Sequence, residues 1–480
     1  MKNFCVIWML MILMSSSKTL KAVSTTAPNN NDTTVSATIK TNVDFWLTNA
    51  DQSVMFKKQN ASLSFSAASN SNPTIIFDST QTFQTMDGFG FALTGGSAYV
   101  INRMVPANKD ALLKELFATD SNNIGISYLR ISIGASDLSN NVFTYDDMPI
   151  GQTDTALSNF SISLENEDLI PVLKKILAIN PTIKILASPW TAPVWMKTNG
   201  SSVGGSLNHQ YDAAYAKYFV KYIQAMRTNG ITIDAITLQN EPLNPNNNPS
   251  MSLTAVEEAD FIKNHIGPAF RRAGITTKIF IFDHNCNTPE YPLAILSDPD
   301  ALKYLDGSAF HLYAGDISAL TQVHNAAPTK NVYFTEQWVG APSNFAGDFN
   351  WAIQNLVIGA SRNWSKVVLQ WNLASDINYG PHTTGGCTAC LGAVTISSAV
   401  VRNTAYYTIA HASKFVRPGS VRISTNTPGV LQNVGFVNPD GKKVLIVLNA
   451  GSTSQIFNIS FNQKIITATL RAGAAGTFVW

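Results

Sequence analysis

From Gly88 onward the chain carries eight short β-rich runs, with a stretch of helical periodicity between most of them. Strands separated by helices pair in parallel, and eight such units argue closure into a barrel. The candidate strands are Gly88–Leu93, Tyr128–Ile133, Ile183–Ser188, Ala235–Gln239, Lys278–Phe282, Gly307–His311, Val332–Thr335 and Val367–Trp371. Apolar residues spaced by three and four predict helices over Pro106–Phe117, Asp168–Ile179, Tyr211–Thr228, Ala255–Ala273 and Phe349–Asn363. The expected fold class is α/β, a (β/α)8 TIM barrel over residues 85–405.

The flanks read differently. Segments Val43–Leu47, Ser62–Ser66 and Thr74–Phe83 alternate apolar and polar residues ahead of the barrel. After Lys414 the helical pattern stops. Residues 416–480 alternate again, with turns at Pro428-Gly429, Asn438–Gly441 and Asn449–Gly451. An appended β-sandwich is expected over 406–480, with the strands of 42–84 joining it.

Residues 1–22 have the pattern of a signal peptide. Lys2 precedes an apolar run from Phe4 to Met14, too short to span a bilayer, then Ser15, Ser16 and Ser17. Residues 23–41 form a polar tether. The expected location is secreted or periplasmic, with no integral membrane segment after signal removal. The net charge of +2 comes from the leader, because beyond it 30 bases face 31 acids. A near-neutral chain lacks the electrostatic footprint for nucleic acid. Only 13% of residues are charged while 10% are aromatic, a bias that suits stacking against sugars.

Cys387-Thr-Ala-Cys390 lies in a Gly-rich loop, and only Cys286 remains beyond the leader. A structural zinc site needs four ligands and no second Cys pair is present, so a local disulfide that stiffens the loop is expected. No metal and no cofactor are expected.

Two glutamates carry the chemistry. Glu241 closes Ile233-Asp-Ala-Ile-Thr-Leu-Gln-Asn-Glu241, and Glu336 closes Asn331-Val-Tyr-Phe-Thr-Glu336. Catalytic groups of such barrels sit at the C-terminal ends of strands, so both acids project into one cleft. Paired carboxylates in one cleft equip a chain for glycoside hydrolysis. A general acid needs a raised pKa, and Glu241 at a buried strand end facing a second carboxylate meets that need. A nucleophilic Glu336 must stay ionised, and Arg130 and Tyr313 can supply the cation and donor. Asn240 can offer its amide to a sugar 2-hydroxyl, or Asn-Glu-Pro can simply be a turn that ends a strand.

Around them, His311 with Tyr313 makes a hydrogen-bonding pair or a satisfied buried histidine. Trp190, Trp338 and Trp371 hold the apolar face of a pyranose or close the barrel top. Asp137 binds sugar hydroxyls or caps its loop. Asp283-His284 with Cys286 has ligand-type residues but reads as loop structure after the fifth strand. The chain contains no Gly-x-Ser-x-Gly elbow, no phosphate-binding Gly-x4-Gly-Lys-[Ser/Thr] and no His-Glu-x-x-His.

Eight motifs fall in order: Phe89-Gly-Phe-Ala-Leu-Thr94, Leu129-Arg-Ile-Ser-Ile133 with Asp137, Ala187-Ser-Pro-Trp-Thr-Ala-Pro193, Trp195-Met-Lys-Thr-Asn-Gly200, Gln239-Asn-Glu-Pro242, Phe310-His-Leu-Tyr313, Thr335-Glu-Gln-Trp338 and Gln370-Trp-Asn-Leu-Ala374. Together, over roughly 85–480, they resemble glycoside hydrolase family 30, which includes lysosomal glucosylceramidase and microbial endo-β-1,6-glucanases. The resemblance implies a barrel fused to a β-sandwich built from both chain ends, and a retaining mechanism with Glu241 as acid/base and Glu336 as nucleophile. It implies that Arg130, Asp137, Trp190, Asn240, His311, Tyr313 and Trp371 line the glycone subsite. It also implies a β-glucan or β-glucoside substrate. Gly380-Pro-His382, the following Cys-Thr-Ala-Cys loop and Asp283-His-Asn285 look more like the β-1,6-glucanase branch than the ceramide-cleaving one. A silent glycan-binding relative is the competing reading, against which both glutamates and Asn240 are intact.

Overall fold

The computed structural model describes residues 42–480. The expected signal peptide and polar tether lie outside the described residues.

Eight parallel strands close into a barrel in chain order. They are Gly88–Ala92, Tyr128–Ile133, Lys184–Pro189, Ala235–Thr237, Lys278–Asn285, Gly307–His311, Asn331–Glu336 and Ser365–Asn372. Each expected strand is present. Tyr128, Leu186, Ala235, Phe280, Ala309, Tyr333, Val367 and Leu369 fill its interior as a buried plug. The first strand is glycine-rich because it runs close to its neighbour. A Cβ at Gly90 would lie 1.8 Å from the Tyr128 carbonyl oxygen.

Several strand ends shift by a residue or two from the sequence reading, and two differences bear on the site. The fourth strand ends at Thr237, so Gln239, Asn240 and Glu241 leave the ladder before the chain turns. The fifth strand runs three residues past Phe282 and includes Asp283 and His284, which the sequence reading placed in a loop. Phe282 and Asp283 adopt φ of +77° and +50° there. Left-handed backbone inside a strand is not visible in an apolar–polar pattern.

The expected helices form and pack outside the barrel. Ala255–Ala273 is helical throughout but contains a π-helical turn at Ile262–Ile266. The helix expected from Phe349 begins earlier, at Phe345, where Asn344 accepts from the Gly347 N–H. Gly95–Asn102 also forms, although Gly-Gly-Ser offers little helical propensity. Its N-cap Thr94 accepts from the Ser97 N–H, supplying a start that pattern alone did not reveal.

The β-sandwich uses both ends of the described chain. Asn42–Thr48 pairs antiparallel with Ala475–Val479. The long strand Thr74–Thr85 pairs antiparallel with Val421–Thr425 and, at its start, parallel with Gln455–Phe461. Phe45, Phe77, Leu445, Phe457 and Phe478 lie in its core. Helix Thr404–Ser413 precedes the sandwich strands and ends where the helical pattern stops in the sequence. Its buried His411 contacts Thr477 Oγ1 at 2.8 Å and Thr48 Oγ1 at 2.9 Å. Burial pushes the His411 pKa down to about 3, so it is neutral and tethers this helix to two sandwich strands.

Candidate active site

The C-terminal ends of the strands surround a cleft of about 340 Å³, lined by Asp137, Trp190, Glu241, Tyr313, Glu336, Trp338 and Trp371. Seven of the ten expected residues therefore share one wall-to-wall space. The other three, Arg130, Asn240 and His311, lie beneath the lining and are buried.

Glu336 ends the seventh strand. Its Oε2 accepts from Arg130 Nη1 at 2.5 Å and its Oε1 from the Tyr313 hydroxyl at 2.9 Å. Glu241 follows the fourth strand in a left-handed turn with φ of +46°. That strained backbone is held because the Glu241 N–H donates to the Asp283 carbonyl. Oε1 of Glu241 lies 3.2 Å from Nδ1 of His311, and its Oε2 accepts from Asn244 Nδ2 at 2.7 Å. A carboxylate oxygen of each glutamate falls within 4.8 Å of the other and of a His311 nitrogen.

Beneath them Asp283 organises the floor. Its Oδ2 accepts from Arg130 Nη2 at 2.7 Å and Thr237 Oγ1 at 2.8 Å, while Oδ1 accepts from Thr335 Oγ1 at 2.7 Å and faces His311 Nε2 at 3.1 Å. Arg130 Nη2 also donates to Asn240 Oδ1 at 2.7 Å, which fixes the orientation of that amide. The guanidinium lies 4.9 Å from the ring of Trp190, and Trp190 stacks on Trp371 at 5.4 Å. Asp283 is thus the central residue that sequence reasoning missed. Its available signal was an acid after Phe-Ile-Phe, at the same kind of strand end as the two glutamates.

Four carboxyl groups share this site with two cations. Burial raises Asp283, but Arg130, His311 and Thr335 outweigh it and hold its carboxyl far below the usual range. Burial works against a charged His311, yet Glu336, Asp283 and Glu241 lift it to about 9. Asp137 is pushed up to about 7 by burial and by the charges of Glu336 and Glu241, against one hydrogen bond from the Cys387 N–H.

The two glutamates do not follow the expected directions. Burial raises Glu241, but the hydrogen bond and charge of His311 and the Asn244 amide leave it below its ordinary value. Burial leaves Glu336 above its own, against His311 and Arg130. The sequence reading weighed burial and a facing carboxylate for Glu241 and had no view of the histidinium behind it.

Cys387 and Cys390 form a disulfide that lines the cleft beside Asp137. Asn244, Asn247 and Asn285 complete the wall. Cys286 is a buried free thiol, pushed up to about 12 by burial, and plays no part in the cleft.

Residues 86–416 match the glycosyl hydrolase family 30 TIM-barrel domain, and 419–478 match the family 30 beta sandwich domain. The chain belongs to glycoside hydrolase family 30. Within family 30 it is 40% identical to an endo-1,6-beta-D-glucanase of Neurospora crassa over 404 residues, 79% of this chain and 82% of the relative. It is 30% identical to the lysosomal acid glucosylceramidase of Mus musculus over 83% of this chain and 81% of that one. Among solved structures, the endo-beta1,6-glucanase BT3312 superposes with a TM-score of 0.86 at 36% identity, covering 92% of this chain and 99% of that chain. The family 30 assignment makes this chain a retaining glycoside hydrolase acting on a glycan. Among the described residues no helix is long and apolar enough to cross a membrane.

Proposed function

We propose that the protein is a secreted endo-β-1,6-glucanase that works by double displacement, with Glu336 as nucleophile and Glu241 as general acid/base. The observation that carries the mechanism is the close approach of two buried carboxylates with different hydrogen-bond partners. The 4.8 Å limit between their oxygens fits the spacing of about 5–5.5 Å between carboxyl groups in retaining enzymes.

Glu336 attacks C1 of the glucosyl unit as the C1–O6 bond breaks, forming an ester to the sugar. Arg130 and Tyr313 support the anionic form it attacks from. Glu241 passes a proton to the departing O6. His311, protonated up to about pH 9, faces Glu241 through Nδ1, so the His311–Glu241 pair holds that proton. In the second half Glu241 takes a proton from water, whose oxygen attacks C1 and releases Glu336. The role assignment rests on these donors rather than on the resting proton distribution, which leans toward Glu336. Asn240, oriented by Arg130, supports contact with the sugar 2-hydroxyl. Trp338 and Tyr313, each more than a third exposed, offer ring faces to the chain of sugars.

The β-1,6 linkage is supported by the names of the relatives at 40% and 36% identity. Incubating the purified protein with a β-1,6-glucan and, in parallel, with glucosylceramide tests it. Release of gentio-oligosaccharides is the expected result. Glucose from the lipid alone would overturn the glucanase reading and leave the two glutamate roles in place.

A further inference from the structure

On the outer face of the barrel, away from the cleft residues, three ligating side chains converge between two consecutive helices, with His209 beside them. Asp212 opens the helix Asp212–Thr228 and is buried. His209, on the turn before it, places Nδ1 3.2 Å from Oδ2 of Asp212. From the next helix, His265 Nε2 lies 3.6 Å from the same oxygen. One ligand atom from each of Asp212, Asp260 and His265 lies within 4.8 Å of the others. Glu257 stands just outside, with Oε1 3.8 Å from His209 Nε2.

A further observation points to a cation. Oδ1 of Asp212 is buried and has no hydrogen-bond donor, a costly state for a carboxylate oxygen. His265 reaches the cluster from the π-helical turn Ile262–Ile266, with its ring stacked on Phe261 at 6.1 Å. Turns of this kind recur at functional sites.

We propose that Asp212, Asp260 and His265 form a binding site for a divalent transition-metal ion, best suited to Zn²⁺. In a tetrahedral zinc site with bonds of about 2.0–2.2 Å, ligand atoms stand about 3.3–3.6 Å apart. The 3.6 Å between His265 Nε2 and Asp212 Oδ2 is already near that edge length. Mixed imidazole and carboxylate donors suit zinc, and with three protein ligands a water completes the tetrahedron. The ion would neutralise the buried carboxylate and pin the helix that follows the third strand to the one that follows the fourth.

The test is calorimetric titration of the chelator-stripped full chain with Zn²⁺, with glucan turnover followed in parallel. The expected result is one tightly bound equivalent that raises the unfolding temperature and leaves turnover intact. His265→Gln and Asp260→Asn should each weaken that binding about ten-fold or more and preserve activity. Asp260 is partly exposed, so its variant keeps the test decisive where His265→Gln folds poorly. Zinc captured by Glu241, His311 and Glu336 would instead inhibit turnover and persist in both variants. No binding, or only that inhibitory binding, overturns the proposal.

Discussion

The main-chain N–H of Cys387 donates to Oδ2 of Asp137 at 3.3 Å, joining two loops 250 residues apart in sequence. Thr383 adds two bonds from the same loop to the Asp137 carbonyl, through its N–H at 2.8 Å and its hydroxyl at 3.3 Å. The disulfide therefore holds the group that fixes Asp137. Reducing it, or replacing both cysteines with serine, should raise KM for the glucan about three- to ten-fold, the effect of losing about 1 kcal/mol of hydrogen bonding. kcat should change less. Initial-rate kinetics with and without reductant would show it, and an unchanged KM would free Asp137 from dependence on this loop.

Asp137 also ties stability to pH. Its carboxyl titrates near 3.8 when unfolded and near 7 when folded. A group that keeps its proton longer in the folded state contributes stability below the unfolded value and loses it as pH rises through the folded one. The window is about pH 4 to 7, and the whole effect is on the order of a few kcal/mol. The unfolding temperature should fall across that window, and Asp137→Asn should flatten the fall.

Arg130 is fully buried between Glu336 and Asp283. Arg130→Met leaves two buried carboxylates without their cation and should destabilise the fold by about 3–5 kcal/mol while abolishing turnover. Arg130→Lys should rescue little, because one ammonium cannot reproduce bonds to Ser188, Glu336, Asn240 and Asp283 at once. Thermal unfolding and kcat measured on both variants would check this.

Tyr313→Phe removes one of two donors to Glu336 and nothing from the floor. A hydrogen bond to a charged group contributes about 1.5–3 kcal/mol, so kcat should drop about ten- to hundred-fold. The unfolding temperature should barely move, which separates this role from that of Arg130.

The barrel was legible because eight β-rich runs recur with helical periods between most of them, and a period survives errors at individual boundaries. The glutamates were legible because each closes a β-rich run. Asp283 was not, because the strand carrying it bends into left-handed backbone at Phe282, and a run of apolar residues says nothing of φ. The proton balance was hidden for a different reason. Whether Glu241 or Glu336 binds its proton more firmly depends on where His311 and Arg130 point, and those contacts cross 70 and 206 residues of sequence. The wall formed by Cys387 and Cys390 was visible as a disulfide but not as a neighbour of Asp137.

The first described strand, Asn42–Thr48, finds its partner in Ala475–Val479, the last strand of the chain. During synthesis the opening strand therefore waits, unpaired on that edge, until Ala475–Val479 has been made. The barrel segment between them can condense first, but the sandwich is completed only when the final strand arrives. A nascent chain stalled before Ala475 would carry an open sheet edge into whatever surrounds it.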